Sequence, residues 1–433
     1  MTDQDPAAEP MDRLSTREAA ELLGVKPETV YAYVSRGQLA SHRTPGTRGS
    51  TFDATEVAAL ARRNRREQTT PQSPGELSIR TRITLIEGDR YYFRGVDAVE
   101  LASRYSYEEV AEWLWTGELH PGIRFTAPAE PLAAARRAVA ALPALSGPTD
   151  RLRVAAVAAA TADPLRFDLS EPAVLSTARA LIPTLVAALP LAKTQAGHQE
   201  PEADEQREEG GVPTLALRLW PRLTRRPAEE QPLKILDRAL ALLVDHDLAA
   251  STLAVRVAAS ARAHPYAALS AGLGVLEGPL HGAASGLAHR MLRDVVDQGG
   301  AAPVVAGELR AGRRIPGLGH RLYTGEDPRA TALFALLERL PEAADALAAA
   351  RDVQATAARH TDLHANVDLA LAVLSVSTGM PATGGETLFA VARTAGWIAH
   401  TLEEYTERPL RMRPVGRYTG PRPPQPLPSP TRS

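Results

Sequence analysis

Arg80–Gly95 reads RTRITLIEGDRYYFRG. Apolar and polar residues alternate on either side of Glu87-Gly88-Asp89, which predicts a β-hairpin turning at that tripeptide. The stretch decides the fold class because strand signals elsewhere are scarce. From about 77 to about 407 the chain is rich in alanine and leucine, with apolar residues at helical spacing. The predicted body is nearly all-α with one small β element.

At 433 residues the chain exceeds the ~250–300 residues at which a single core stops growing, so two or more domains are expected. Residues 12–66 carry short helical patterns. Residues 67–76 (EQTTPQSPGE) read as a linker, and the larger body spans 77–419. Residues 1–11 are expected to be disordered. Thr194–Gly211 (TQAGHQEPEADEQREEGG) is acidic and almost free of apolar side chains. It cannot offset its ordering entropy and is expected to be a mobile insertion. The tail 420–433 (GPRPPQPLPSPTRS) is proline-rich and expected to be extended.

Hydrophobic residues at 44% and charged residues at 23% fit a soluble globular protein. The absence of cysteine excludes disulfides, thiolate zinc sites and a cysteine nucleophile. No apolar run reaches the ~18 residues of a membrane span, and the acidic start MTDQDPAAEP is unlike a secretory signal. A cytoplasmic protein is expected.

Leu14–Leu39, LSTREAAELLGVKPETVYAYVSRGQL, has the grammar of a helix-turn-helix. Ser15 or Thr16 caps a first helix with Glu18 reaching back. Ala19, Ala20, Leu22 and Leu23 form its buried face. Gly24 makes the turn, and Pro27 sits in the first turn of the second helix. Val30 and Val34 point inward, while Thr29, Tyr31, Tyr33 and Arg36 face out. Gly46 and Gly49 flank Thr47 and Arg48 in a wing, and Asp53 caps a third helix ending in Arg62, Arg63, Arg65 and Arg66. The pattern resembles the winged helix-turn-helix of the MerR and excisionase type. That resemblance implies DNA contact through Lys26, Thr29, Tyr31, Tyr33, Arg36 and Arg48. Ten Lys/Arg against six Asp/Glu over 12–66 give a net +4, the sign that phosphate contact needs. A small three-helix domain for dimer or partner contact is the alternative.

Three distant segments set a histidine or aspartate beside glycines or polar residues: Gly278–Gly286 (GPLHGAASG), Ile315–Thr331 (IPGLGHRLYTGEDPRAT) and His364–Val373 (HANVDLALAV). Glycines around His281 and His320 let the backbone approach a ligand. Asp368 opens an apolar helix, where a carboxylate tends to a raised pKa and suits general-base work. Two histidines and an aspartate can serve acid–base chemistry at a carbonyl. A histidine in a turn is also commonly a capping or surface residue. No HExxH-type spacing occurs, and no metal is expected.

These segments, in this order, resemble the citrate synthase family. The resemblance runs from about Glu76 to Thr419. It begins with YYFRGVDAVELASRYSYEEVAEWLWTGEL, continues through GPLHG, GHRLY…DPRA, NVD and ARTAGWIAH, and ends with RMRPVGRYTGP. It implies a mainly α, two-domain fold whose small domain, roughly 283–382, closes over substrate in a homodimer. It implies condensation of acetyl-CoA or propionyl-CoA with oxaloacetate, without a cofactor. His281 would stabilise the enol of the acyl thioester, Asp368 would take its α-proton, and His320 would protonate the oxaloacetate carbonyl. His246 (in LLVDHDLAAST), Arg329, Phe389 and Arg393 would contact oxaloacetate, with Arg413 donated across the dimer.

The chain departs from the family pattern at several contacts. Leu243 stands where the first histidine of HxDHE is common, and Asp247 replaces its glutamate. Ala249 stands for an asparagine, Leu318 for an aromatic, and Thr324 for a basic residue that helps bind CoA phosphates. These changes and the N-terminal module support an alternative, a DNA-binding regulator whose synthase-like body senses a metabolite. Acetyl-CoA and propionyl-CoA are not distinguished by sequence, because one methylene is worth only ~1–3 kcal/mol in an apolar pocket.

Overall fold

The computed structural model describes residues 13–23, 25, 27–35, 39–42, 50–58, 60, 78–192, 212–278, 281–415 and 417–422. The chain forms two compact units, Met1–Arg80 and Thr81–Ser433.

In the first unit, strand β1 (Arg13–Ser15) leads into helices α1 (Thr16–Leu23) and α2 (Pro27–Ser35), and β2 (Thr51–Asp53) returns antiparallel to β1 with Leu14 opposite Phe52. Ser15 is the cap. Its amide donates to the Glu18 carboxylate (2.7 Å) and its hydroxyl accepts from the Glu18 amide (3.3 Å). The Asp53 carboxylate accepts from the Thr55 and Glu56 amides where residues 54–58 turn helical. Ala19, Ala20, Leu23, Val30, Leu39, Phe52, Val57 and Leu60 make the core. Two expectations are corrected. Leu22 is 44% exposed, because the adjacent Leu23 takes the inward position. Tyr33 packs against the core rather than facing out, because three residues after Val30 a helix returns to the same face. The β1–β2 pair was not anticipated, since three-residue strands carry almost no pattern. Lys26, Arg36, Arg48, the wing glycines, Arg62–Arg66 and the 67–76 linker lie outside the described residues.

The second unit opens with the expected hairpin, β3 (Thr84–Glu87) against β4 (Arg90–Phe93), extended by β5 (Val96–Asp97). Gly88 and Asp89 both take positive φ (59° and 56°), the two-residue turn that matches strand twist. Helices follow: α3 (Ala98–Arg104), α4 (Tyr107–Thr116), α5 (Ala129–Ala140), α6 (Pro148–Thr161), α7 (Glu171–Ala188), α8 (Leu215–Leu223), α9 (Glu230–Leu242), α10 (Ala250–Ser260), α11 (Pro265–Leu276), α12 (Ala284–Gln298), α13 (Ala301–Arg310), α14 (Pro328–Leu337), α15 (Ala344–Ala357), α16 (Val367–Ser377) and α17 (Gly384–Tyr405). The acidic 194–211 segment, residues 1–11 and the tail beyond 422 lie outside the described residues.

Helix α17 runs through the middle of this unit. Trp397 and Ile398 are fully buried. The Trp115 indole donates to the Ala395 carbonyl (2.8 Å), and the Tyr107 hydroxyl donates to the Val391 carbonyl (3.2 Å), so α4 is fastened to it. Helices α10 and α11 pack on α17, and α12 packs on α16. Glycine at 396 is required by close approach. Its amide donates to the Val244 carbonyl (3.1 Å), and a Cβ there would sit 2.2 Å from that oxygen. The loop carrying Asp245 and His246 is thereby pressed onto α17. Among the described residues, no helix is long and apolar enough to cross a membrane.

Candidate active site

Backbone pairing brings the second and third motifs together. Leu318 bridges Ala365, the Gly319 amide donates to the His364 carbonyl (2.7 Å), and the Asn366 amide donates to the Gly317 carbonyl (2.9 Å). Gly317 is left-handed (φ 80°), and a Cβ on it would lie 2.8 Å from that of Leu369. Only glycine lets this turn lie against the start of α16. His320 thus emerges beside the helix end that carries Asp368, whose amide is capped by the Asn366 side chain (3.0 Å).

Asp327 organises the same corner. It caps α14 and accepts from the Arg329 amide (3.0 Å) and from the Val367 amide (2.9 Å). Its two oxygens also take the Arg329 guanidinium at Nε and Nη2, 2.9 and 2.7 Å. Both residues are buried. Arg329 Nη2 lies 3.3 Å from His320 Nε2. On the other side of the His320 ring, Nδ1 faces the Leu322 amide (3.0 Å). Burial, then Arg329, hold His320 down to about 4, so the ring is neutral near pH 7 and accepts from only one of its two neighbours, the Leu322 amide at Nδ1 or the Arg329 guanidinium at Nε2. With the proton on Nε2, that N–H and the Arg329 Nη2 converge as two donors, an arrangement that an anionic or carbonyl oxygen completes.

His246 is buried, with its ring 5.1 Å from that of His320 and at 88° to it. Burial, followed by Arg329, Arg393 and His320, holds it well below the usual histidine range. Arg393, 1% exposed, donates from Nε to the Leu243 carbonyl (3.0 Å) and stacks 4.6 Å over the Phe389 ring. No carboxylate among the described residues lies within ion-pair distance of it, and buried Asp245 acts on it from farther away. Burial lowers it to about 10.

His281 sits in the turn before α12, its Nε2 2.7 Å from the hydroxyl of buried Ser251 on α10. Burial, then Arg393, lower its pKa. Imidazole nitrogen is the stronger base of that pair, so the serine donates and Nδ1–H is left to point elsewhere. Asp368 is partly shielded as a residue, yet its carboxyl is desolvated enough that burial raises it to about 6, against the opposing effect of Arg329.

His246, His281, His320, Arg329, Asp368, Phe389 and Arg393 thus share one electrostatic neighbourhood. Arg329 acts on His246, His320 and Asp368, and Arg393 acts on His246 and His281. Arg413 does not join them. It is exposed, just past Arg411, whose guanidinium is gripped by Glu404 (2.8 and 2.6 Å).

Sequence reasoning missed Ser251, Tyr323, Asp327 and the support behind His246. Asp245, fully buried, accepts from the Thr84 hydroxyl and faces His400 Nε2 at 3.3 Å. His400 Nδ1 takes a bond from Arg256 (3.0 Å), which leaves Nε2–H for Asp245. Buried polar neighbours at separated positions give no local signal. Asp327 and Tyr323 did stand inside the quoted GHRLYTGEDPRA motif.

The groups assembled here fit acid–base chemistry beside an anion. Residues 74–415 match the family described as "Citrate synthase, C-terminal domain", and 13–65 match "Helix-turn-helix domain". The citrate synthase of Haloferax volcanii is 33% identical over 367 residues, covering 80% of this chain and 94% of that protein. The crystal structure of citrate synthase from Thermotoga maritima superposes with a TM-score of 0.63 at 26% identity, over 82% of this chain and 96% of the other. The ternary complex of carboxymethyl coenzyme A and oxaloacetate with citrate synthase from Thermoplasma acidophilum has the same fold, with a TM-score of 0.61 at 22% identity over 81% and 96%. The chain belongs to the citrate synthase family of transferase enzymes, carrying a helix-turn-helix unit at its N-terminus.

Proposed function

We propose that the chain condenses a short acyl-CoA with oxaloacetate at the cluster just described, with acetyl-CoA and propionyl-CoA as candidate donors. The observation that carries this reading is Arg393, a buried guanidinium with no carboxylate within ion-pair distance among the described residues. A buried charge demands compensation, and arginine's planar fork matches a carboxylate. Oxaloacetate supplies two. The Thermoplasma relative, bound to oxaloacetate and a coenzyme A derivative, supports the same choice of ligands.

Asp368, raised to about 6, is ionised at neutral pH yet basic enough to take the acyl α-proton. His281 Nδ1–H donates to the thioester oxygen and holds the enol. The enol carbon attacks the oxaloacetate ketone, whose oxygen takes a proton from His320. The dianion offsets the Arg329 charge that, after burial, depresses His320, so substrate binding itself raises the histidine's proton affinity. Water then cleaves the thioester and frees CoA. All chemistry comes from side chains and substrates. Closure of the 283–382 region would exclude water during these steps, and Arg413 would reach the site of a second subunit.

The test is oxaloacetate-dependent CoA release with each acyl-CoA, using Asp368→Ala as control. An inactive wild type, or an equally active variant, would sink the assignment.

A second reading rests on the N-terminal unit. Tyr31, 51% exposed on α2, stands on the surface that enters the major groove in helix-turn-helix proteins. We infer DNA binding through this helix by Thr29 and Tyr31, with Lys26 and Arg36 flanking them in sequence and Arg48 in the expected wing. Tyr33 leaves the contact set because it packs inward. Genomic DNA pulled down by the full chain should enrich discrete sites. Uniform, salt-sensitive recovery would leave only oligomerisation as a role for the unit.

A further inference from the structure

Tyr323 has no assigned role, yet it touches more of the cluster than any other side chain outside it. Its residue is 5% exposed. Its hydroxyl lies 2.7 Å from His246 Nε2. Its ring centre lies 4.7 Å from that of His320, the two planes 36° apart, and the Arg329 guanidinium carbon sits 6.0 Å over its face. The loop that carries it is fixed on both sides. The Leu322 amide is spent on His320 Nδ1, and the Thr324 amide donates to Asp89 in the hairpin turn (2.9 Å).

The direction of the phenol–imidazole bond follows from acid–base strength. A phenol titrates near ~10, while a neutral imidazole N–H is a far weaker acid and its bare nitrogen a far better acceptor than a phenol oxygen. The tyrosine therefore donates, and His246 Nε2 accepts. His246 then carries its single proton on Nδ1. The same loop packs the tyrosine ring against His320, whose plane stands at 88° to that of His246.

We propose that Tyr323 is a positioning residue for both oxaloacetate histidines: its hydroxyl holds His246 in the Nδ1–H form, and its ring face fixes the plane of His320. This rests on the oxaloacetate reading given above. The two functions separate by substitution. Phenylalanine keeps the ring and removes the donor, so His246 loses its tautomer while His320 keeps its plane. Leucine removes both.

The experiment compares wild type, Tyr323→Phe and Tyr323→Leu as full-length protein. Histidine ring 15N–1H spectra are recorded without substrates, with the His246 signals assigned by their loss in His246→Asn. Wild type should show His246 as Nδ1–H, and Tyr323→Phe should shift it toward Nε2–H. Loss of one buried hydrogen bond should raise the KM for oxaloacetate about tenfold in Tyr323→Phe, with kcat within about threefold and the KM for acyl-CoA unchanged. Tyr323→Leu should lose kcat as well, by about tenfold or more. A purely structural tyrosine would lower Tm without moving the tautomer or splitting KM from kcat. If Tyr323→Phe leaves both the His246 spectrum and the oxaloacetate KM at wild-type values, the proposal is wrong, whether or not the leucine variant folds. An inactive wild type would instead overturn the oxaloacetate reading, and the substrate-free spectra would still decide the tautomer.

Discussion

Asp327 holds Arg329 by both carboxylate oxygens, at 2.9 and 2.7 Å, and the same carboxylate caps the turn into α14 and accepts the Val367 amide. The pair is buried, so the two charges stand or fall together. Removing one partner of such a pair typically costs ~3–5 kcal/mol, because the other is left uncompensated. Asp327→Ala is expected to lower the unfolding free energy by about that amount in denaturant titrations, and saturating oxaloacetate should restore part of it by supplying the missing anion. A variant as stable as wild type would show that Arg329 finds another partner.

In the proposed reaction, Asp368 as the base sets the acid limb of activity. With a pKa raised to about 6, kcat/KM should fall tenfold per pH unit below about 6 and level off above it. The same shift has a stability consequence of opposite sign. A carboxyl that binds its proton more tightly when folded favours the folded state at low pH, and that advantage disappears as pH rises from about 4 through about 6. Above that, the ionised group costs at most ~3 kcal/mol. Asp368→Asn should therefore lose activity by about a thousandfold or more while gaining a few degrees of Tm at pH 8. A variant less stable than wild type at pH 8 would contradict the desolvation account.

Arg393 differs from Arg329 in having no carboxylate of its own among the described residues. Arg393→Lys keeps a charge but not the planar fork, so kcat/KM for oxaloacetate should drop ~10²–10⁴-fold, as expected for two charge-assisted hydrogen bonds at ~1.5–3 kcal/mol each. Saturating oxaloacetate should raise the Tm of the wild type and leave that of Arg393→Met nearly unchanged. An equal shift in both proteins would place the dianion elsewhere.

The motif residues were readable because their signal is local. His281, His320 and Asp368 sit in short glycine- or asparagine-bearing segments whose spacing survives alone. Their partners were not readable, because importance there comes from a distant neighbour: Ser251 is 30 positions from His281, Tyr323 is 77 from His246, and Arg256 is 144 from His400. Secondary structure followed the same rule. The hairpin at Gly88-Asp89 was legible from alternation, whereas β1 and β2, three residues each, were not. Leu22 and Leu23 are chemically alike, and only the helix's packing partner decides which one turns inward.

Gly396 links core packing to the site. Alanine there would place a Cβ 2.2 Å from the Val244 carbonyl and 2.8 Å from the Asp245 carboxylate, and neither can retreat freely. Val244 is fully buried, and Asp245 is held between Thr84 and His400. The loop must move outward, and His246 moves with it. Overpacking of this kind costs ~1–3 kcal/mol in stability, and an ångström of misplacement at a reacting group can cost ~10²-fold in rate. Gly396→Ala should therefore lose kcat/KM for oxaloacetate by a larger factor than its modest fall in Tm suggests, with the acyl-CoA KM little changed, since His281 hangs on Ser251 of α10 rather than on this loop. Equal losses for both substrates would mean that α17 itself, not the 244–246 loop, gives way.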